Sequence, residues 1–165
     1  MDYLHHYDSP LGAMTLASDG KNLIGLWFDD QKYFTATIEG LPAEKELPIF
    51  DQTIRWLHIY FDGGVPNFLP PLAPRGTAFQ KEVWDILLTI PYGKTMTYGD
   101  IAEILAKRRG FAKMSPQAVG GAVGHNPISL IIPCHRVVGA KGKLTGYAGG
   151  LDKKAKLLSL ERQIR

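Results

Sequence analysis

Residues 115–139 read SPQAVGGAVGHNPISLIIPCHRVVG, and this stretch decides the fold of the second half of the chain. Ser115 is a favoured N-cap residue and Pro116 suits the first helical position, so the pattern predicts a helix over residues 117–123 that ends at Gly124. Most side chains of this helix are alanine, valine or glycine. Such small side chains let a helix backbone lie close to another helix or to an external partner.

The apolar run 128–132 predicts a β-strand that must end at Pro133, because proline cannot donate a hydrogen bond to a neighbouring strand. Cys134, the single cysteine of the chain, follows at once. A lone cysteine is most often a small buried hydrophobe. Here, however, His135 supplies a titratable base and Arg136 a permanent cation, and such neighbours lower the pKa of a thiol. The sequence therefore favours a nucleophile over a core residue.

Two helices are predicted upstream of this stretch, and the first has the clearer signals. Thr77 and Gln80 have the spacing of a capping box, and the helix is expected to end at the Pro-Tyr-Gly of residues 91–93. Its apolar face consists of Phe79, Val83, Ile86, Leu87 and Ile90.

The second upstream helix is short. Thr97 is its predicted N-cap, three residues before Asp100. Its apolar face consists of Ile101, Ile104 and Leu105. A basic loop is expected at residues 107–110, followed by the small-residue helix over 117–123. Two short helices joined in this way predict a helix-turn-helix with a long connection.

The first third of the chain has the pattern of a β-hairpin. Met14 and Leu16 alternate with other residues, residues 19–22 (Asp-Gly-Lys-Asn) indicate a turn, and the apolar run 23–28 follows. Alternation, turn and second run together predict two antiparallel strands.

Residues 48–62 predict a helix that stops at the glycines 63–64. Its apolar face consists of Phe50, Ile54, Leu57 and Phe61. The proline-rich residues 68–76 exclude a helix or a central strand, and we interpret them as a linker. The predicted domains are therefore residues 1–74 and residues 75–165.

A last helix is predicted near the C-terminus. Asp152 is its expected cap, and its apolar face consists of Leu151, Ala155 and Leu158. Hairpin signals followed by helix signals predict an α+β protein.

Composition excludes several classes of protein. A chain of 165 residues with 45% hydrophobic content can bury a core. One cysteine excludes an internal disulfide or a multi-cysteine zinc cluster and favours a reducing compartment, so a cytoplasmic location is expected. The N-terminus lacks signal-peptide features and no run of about eighteen apolar residues occurs, so neither secretion nor membrane spanning is expected. The net charge of +3 permits an anionic partner without requiring one.

Four segments resemble the O6-alkylguanine-DNA alkyltransferase family. They are residues 9–28 (SPLGAMTLASDGKNLIGLWF), 79–102 (FQKEVWDILLTIPYGKTMTYGDIA), 118–139 (AVGGAVGHNPISLIIPCHRVVG) and 142–161 (GKLTGYAGGLDKKAKLLSLE). The resemblance covers nearly the whole chain, and PCHRV is its most specific part. It implies a small ribonuclease H-like amino-terminal domain of sheet and helix, joined to a mainly helical carboxy-terminal domain with the helix-turn-helix.

The resemblance also implies a reaction. Family members bind duplex DNA in the minor groove, flip out a guanine alkylated at O6 and move the alkyl group irreversibly to a cysteine of the protein. No cofactor takes part. Some relatives bind zinc through amino-terminal cysteines that this chain lacks, so no metal is expected.

Five residues match the catalytic positions of the family. Cys134 is the implied nucleophile, His135 the base that acts through a water, and Glu161 the carboxylate that orients the base. Asn126 is implied to tie loop backbone together, and Tyr98 to donate a hydrogen bond to guanine O6. On local pattern, Glu161 lies on the docking side of the last helix, although an isolated glutamate is most often at the surface. Asn126 fits an ordinary Asn-Pro turn equally well.

The substrate pocket is implied by the same match. Tyr147 forms a wall, and the amide of Ala148, next to Gly149, is a second donor to O6. The carbonyl groups of Cys134 and Val137 accept hydrogen bonds from the guanine amino group.

The small-residue helix is implied to enter the minor groove, where base readout is degenerate. The residues expected to contact DNA are Pro116, Gln117, Ala118, Gly120, Gly121, Arg108, Arg109 and Arg136. Relatives commonly carry an arginine in place of Gln117, where it fills the space left by the flipped base. A solvated basic loop is the alternative for Arg108 and Arg109.

Two other functions stay open at this point. A Cys-His hydrolase would need an oxyanion hole and would turn over many times, whereas a lesion-recognition protein would bind without transfer, against which Cys134 argues. The preference among methyl and bulkier adducts and the activity on O4-alkylthymine also stay open. We expect a monomer with no membrane partner.

Overall fold

A computed structural model describes residues 1–162, which form an amino-terminal sheet with one long helix and a mainly helical carboxy-terminal part. This arrangement confirms the predicted α+β class. The domain boundary between residues 74 and 75 remains a prediction. Within the described residues, no helix is both long and apolar enough to cross a membrane.

The amino-terminal sheet has four strands in the order β3-β2-β1-β4, antiparallel except for the parallel pair β1 and β4. The strands are β1 (Tyr3–Ser9), β2 (Gly12–Ser18), β3 (Leu23–Phe28) and β4 (Ala43–Glu44). Asp19 fixes the turn between β2 and β3, because its Oδ1 accepts hydrogen bonds from the amides of Lys21 and Asn22 at 2.9 and 2.8 Å. Aspartate favours turns through such local bonds. The predicted hairpin is confirmed.

Helix α1 (Pro48–Phe61) packs on strands β1, β2 and β3 and confirms the helix predicted here. Pro48 suits its first turn, and Gly63 follows its end with a φ of +90°. The residues that it buries are Ile49, Phe50, Thr53, Trp56, Leu57 and Tyr60.

Residues 68–76 contain neither a helix nor a regular strand, as their prolines predict. They are nevertheless attached to the sheet. The amide of Leu23 donates to the Pro71 carbonyl at 2.8 Å, and the amide of Ala73 donates to the Leu23 carbonyl at 2.9 Å. The segment therefore follows the edge of β3 instead of forming a free linker.

Three helices begin at the predicted caps. They are α2 (Ala78–Leu87), α3 (Tyr98–Arg109) and α4 (Pro116–Gly124). Thr77 and Gln80 exchange both hydrogen bonds of a capping box. Asp100 completes the same box with Thr97 at the start of α3, where glutamate is more usual. Helices α3 and α4 pack against each other, as the predicted helix-turn-helix requires.

Two predicted boundaries differ from the structure. Helix α2 ends at Leu87, ahead of residues 91–93. The predicted basic loop at 107–110 is wrong, because α3 continues to Arg109 and ends at Gly110 with a φ of +69°. Cations interact favourably with the C-terminal end of a helix, which suits three basic residues in its last turn.

The predicted strand over residues 128–132 is also wrong. Ile128 makes an isolated bridge to Leu26, and the chain then turns so that the Ile132 amide donates to the Ile128 carbonyl at 3.1 Å. Asn126 stabilises this turn: its Oδ1 accepts from the Ile128 amide at 3.0 Å and its Nδ2 donates to the Ile132 carbonyl at 2.8 Å. A run that is buried throughout has no periodicity to separate a strand from a compact turn.

The described structure is completed by a short parallel pair of strands and a last helix. These are β5 (Met96–Thr97), β6 (Val137–Val138) and α5 (Leu151–Arg162). The predicted apolar face of α5 is wrong in part, because Leu151 and Ala155 are exposed and Asp152 lies inside the first turn. The buried residues of α5 are Lys154, Leu157, Leu158 and Glu161. Two charged residues on the inner face explain the error, since the prediction used apolar residues only.

Gly25 of β3 is expected to tolerate no side chain. A methyl group there would overlap the indole ring of Trp27, which is 1% exposed and cannot move away without disturbing close packing. We predict that Gly25→Ala lowers the free energy of unfolding in urea by about 1–3 kcal/mol. Gly99→Ala is the control, because a methyl group on this exposed helical residue would lie 3.7 Å from its nearest neighbour, Thr97 Oγ1. Equal effects of the two substitutions would contradict the overlap.

Candidate active site

Cys134 begins a single 3₁₀ turn, Cys134–Arg136, directly after Pro133. The residue is 5% exposed and lines a cavity of about 200 Å³. Burial raises the pKa of the Cys134 thiol, and the opposing effects of the Asn126 amide and the Lys154 cation do not outweigh it. The thiol is therefore protonated at neutral pH and needs a base to become a nucleophile.

His135 and Glu161 form a fully buried pair next to this turn, with His135 Nε2 2.6 Å from Glu161 Oε2. Burial lowers the pKa of His135 despite the nearby carboxylate. Burial also opposes ionisation of Glu161, but hydrogen bonds from His135 and Arg136 outweigh it and lower the pKa of Glu161 to about 2. A neutral imidazole that donates through Nε2 keeps Nδ1 as an acceptor. Within residues 1–162, His135 Nδ1 has no hydrogen-bond partner.

Arg136 lies inside the protein, and the prediction that it binds DNA is wrong. Its Nε donates to Glu161 Oε1 at 2.8 Å, its Nη2 to Glu161 Oε2 at 3.2 Å, and its Nη1 to the Ile90 carbonyl at 2.8 Å. The residue is 8% exposed. Arg136 is paired with Glu161 and His135 is neutral, and burial outweighs the groups that lower the pKa of Cys134, so the expectation of a lowered thiol pKa is wrong as well.

The cavity beside the thiol brings together separate parts of the chain. The predicted site residues that line it are Tyr98, Gly120, Gly121, Cys134, Tyr147 and Ala148. Val137 and Gly149 do not line it. Val137 is buried in β6, and its amide donates to the Cys134 carbonyl. Gly149 lets the Tyr147 ring lie against the backbone, since a Cβ at this position would lie 2.7 Å from that ring.

Tyr98 and Lys154 hold the loop that carries Tyr147. The Tyr98 hydroxyl donates to the carbonyl groups of Thr145 and Gly146 at 3.1 and 3.4 Å. Lys154 Nζ donates to the same two carbonyl groups at 2.8 and 3.0 Å. Lys154 is fully buried, and this burial lowers its pKa to about 8. One wall of the cavity is thus anchored by two side chains.

Sequence reasoning missed several residues of this site, among them Lys154, Lys32 and Tyr33. The sequence contains a pattern that indicates Lys154. This residue lies three, four and seven residues before Leu157, Leu158 and Glu161, so it shares their helical face. No such pattern indicates Lys32 and Tyr33, which line the cavity from the segment after β3. The Tyr33 ring stacks on His125 with 4.0 Å between ring centroids, a contact across the chain that no local pattern indicates.

The surface beside the cavity is formed by α4. Pro116, Gln117, Ala118 and Gly121 are exposed, and Gly120 is half-buried. Arg108 is exposed in the last turn of α3. Arg109 is paired with Glu82 at 2.6 Å and lies over the Phe79 ring. Contact of these residues with DNA remains a prediction.

Among residues 1–162, no group of three or more histidine, cysteine, aspartate or glutamate side chains could hold a metal ion.

Two families match the sequence. Residues 3–74 match the family described as 6-O-methylguanine DNA methyltransferase, ribonuclease-like domain. Residues 78–163 match 6-O-methylguanine DNA methyltransferase, DNA binding domain.

Similar proteins and structures agree with these matches. The methylated-DNA–protein-cysteine methyltransferase of Methanosarcina acetivorans is 46% identical over 159 residues, which cover 96% of this chain and 97% of the relative. Its counterpart in Mycobacterium tuberculosis is 45% identical over 160 residues, covering 95% and 92%. The crystal structure of Mycobacterium tuberculosis OGT in complex with DNA aligns with a TM-score of 0.83 and 43% identity, covering 98% of this chain and 94% of that one.

The titration of Glu161 and His135 predicts a stability that falls in acid. The folded state keeps Glu161 ionised with a pKa near 2 against an ordinary value of 4.5, so this contribution is complete above pH 4.5 and lost as the pH falls toward 2. The lowered pKa of His135 adds a second loss of stability, which begins as the pH falls below the ordinary histidine value of 6.5. We predict a melting temperature that declines below pH 6.5 and again, more steeply, below pH 4.5, measured by circular dichroism.

Glu161→Gln tests the origin of this decline. The variant leaves Arg136 buried without its counter-charge, so we predict a free energy of unfolding about 3–5 kcal/mol lower at pH 7. The loss between pH 4.5 and 2 should shrink at the same time. A variant as stable as the parent at pH 7, with the parent's decline in acid, would contradict the assignment.

Proposed function

Because the chain belongs to the O6-alkylguanine-DNA alkyltransferase family, we propose that it repairs duplex DNA by moving the alkyl group of O6-alkylguanine to Cys134. One observation carries this proposal. A buried thiol opens onto a cavity, and the next residue is a neutral histidine whose Nδ1 is unpartnered within residues 1–162 and whose Nε2 is held by an ionised glutamate. Activation of a cysteine nucleophile requires a neutral base that a third group orients.

The transfer is a single displacement. Sγ of Cys134 attacks the alkyl carbon, the bond from that carbon to O6 breaks, and its electron pair stays on the guanine. The thiol proton goes to His135 Nδ1 through a water, as the family resemblance implies, and Glu161 stabilises the imidazolium that forms. The product is a thioether without a good leaving group, so each molecule acts once. No cofactor is required.

Hydrogen-bond donors help guanine to leave as negative charge grows on O6. The Tyr98 hydroxyl is the proposed donor, and it must turn away from the carbonyl groups of Thr145 and Gly146 when a base enters. Lys154 then still bonds both carbonyl groups, so the loop keeps its shape. The Ala148 amide is the proposed second donor. The Cys134 carbonyl has a free lone pair for the guanine amino group, since the Val137 amide occupies only one of two.

On the DNA side, α4 is the proposed element in the minor groove, with Gln117 filling the gap left by the flipped base. Arg108 would contact phosphate from outside the groove. Helix α4 lines part of the cavity that contains Cys134, which supports this arrangement. The similar structure that was solved in complex with DNA also supports it. We place the protein in the cytoplasm, where reducing conditions keep Cys134 free.

The direct test is mass spectrometry of the intact protein after incubation with duplex DNA that contains one O6-methylguanine. We predict one added methyl group on Cys134 and none on Cys134→Ser, which should keep its affinity for DNA because the thiol makes no groove contact. A methyl group on another residue would refute the proposal. Repair of more than one O6-methylguanine by each protein molecule would also refute it.

Gln117 is tested by comparing two substrates. We predict that Gln117→Ala slows repair in duplex DNA far more than dealkylation of free O6-benzylguanine, because only the duplex must be held open at a cost of a few kcal/mol. Gln117→Arg should keep or improve duplex repair, since arginine adds a cation to the negative groove. Single-turnover rates measure both. If Gln117→Ala repairs duplex DNA at the parent rate, another residue fills the space left by the flipped base.

A further inference from the structure

Tyr60 of α1 brings the amino-terminal part of the chain into contact with the catalytic pair. Its hydroxyl donates to Glu161 Oε2 at 2.7 Å and lies 3.4 Å from His135 Nε2. Tyr60 is fully buried and lies 101 residues before Glu161 in the sequence. No step of the mechanism above uses this contact.

The ring of Tyr60 is held in place by its neighbours. It stacks on Trp56 with 5.3 Å between ring centroids and 12° between planes. The Tyr92 ring packs against it edge-on at 6.1 Å. Burial and the charge of Glu161 raise the pKa of the Tyr60 hydroxyl, so it stays protonated and can donate. The hydroxyl therefore reaches Glu161 as a fixed neutral donor.

We propose that Tyr60 is a positioning residue, which holds the Glu161 carboxylate and thereby sets the orientation and basicity of His135 during alkyl transfer. This inference rests on the proposed function for its effect on rate. Glu161 Oε2 accepts from Tyr60 and His135 at 2.7 and 2.6 Å and from Arg136 Nη2 at 3.2 Å, so Tyr60 and His135 are its two nearest donors and share its negative charge. Without the Tyr60 hydroxyl, the Glu161 carboxylate is held less firmly. The negative charge on Oε2 then acts more strongly on the His135 imidazole.

The sign of the effect on His135 follows from this sharing. An opposite charge near a histidine favours its protonated form. Loss of the Tyr60 hydroxyl should therefore raise the pKa of His135, so that the neutral base is lost at a higher pH. The titratable and charged groups that face His135 are Tyr60 of α1, Lys154 and Glu161 of α5, and Cys134 and Arg136 of its own turn. Tyr60→Phe changes only the first of these and keeps its ring.

The experiment compares Tyr60→Phe with the parent in single-turnover methyl transfer across the pH range in which both stay folded. We expect the plateau rate to fall about 3- to 10-fold. Loss of a residue that orients a functional side chain through a hydrogen bond often lowers activity by more than this. We expect the acid limb of the profile to move to higher pH. A structural role alone would not move that limb.

Tyr92→Phe is the matched control. It also removes one tyrosine hydroxyl from this cluster, but the Tyr92 hydroxyl is buried with no hydrogen-bond partner within residues 1–162. We expect Tyr92→Phe to keep the parent's acid limb. Equal profiles for Tyr60→Phe and the parent, or the same shift in both variants, would overturn the role of Tyr60.

A measurement without DNA separates this inference from the proposed function. The imidazole of His135 is titrated by NMR in the parent and in Tyr60→Phe, and its pKa should be higher in the variant. A parent that transfers no methyl group would refute the proposed function, whereas this comparison would still decide on Tyr60. An unchanged pKa of His135 would overturn the inference even if transfer occurs.

Discussion

The buried carboxylate of Glu161 is the group on which the reacting part of the molecule depends. Removal of a carboxylate from water costs several kcal/mol unless other groups replace its hydration. Here four donors from three segments of the chain replace it: the Gly93 amide at 3.0 Å, the Tyr60 hydroxyl, and His135 Nε2 and the Arg136 guanidinium of the thiol turn. All must be in place together. The end of α5, the segment after α2, the thiol turn and α1 are therefore fixed relative to one another.

This constraint also assigns the charges of the site. Arg136 and Glu161 compensate each other, so neither charge acts on the thiol, and burial keeps Cys134 protonated in the free protein. His135 remains neutral and presents Nδ1 as its acceptor. In the proposed mechanism, this nitrogen takes the proton of the thiol.

The sequence predicted what local patterns encode. The capping residues Thr77, Thr97 and Ser115 gave helix starts because their side-chain bonds lie within three residues. The resemblance supplied Cys134, His135 and Glu161, and the structure brings the last two within 2.6 Å. The prediction that Arg136 binds DNA is wrong, because the residues around it in the sequence do not indicate which way its side chain points. Its inward direction depends on Glu161, which lies 25 residues away.

Long-range contacts account for the other differences. The turn over 128–132 depends on the Asn126 side chain, which competes with the strand for backbone hydrogen bonds. The inner face of α5 contains Lys154, whose burial follows from two loop carbonyl groups that no helical pattern indicates. Tyr60 was counted as part of an ordinary helix, since its partner is 101 residues distant.

The state of the His135 imidazole tests this account most directly. Nitrogen-15 NMR of the full chain at neutral pH distinguishes a protonated from a bare ring nitrogen at each position. The arrangement around Glu161 predicts a neutral ring with the proton on Nε2 and a bare Nδ1. An imidazolium, or a neutral ring with its proton on Nδ1, would contradict it, because His135 could then not accept the proton of Cys134.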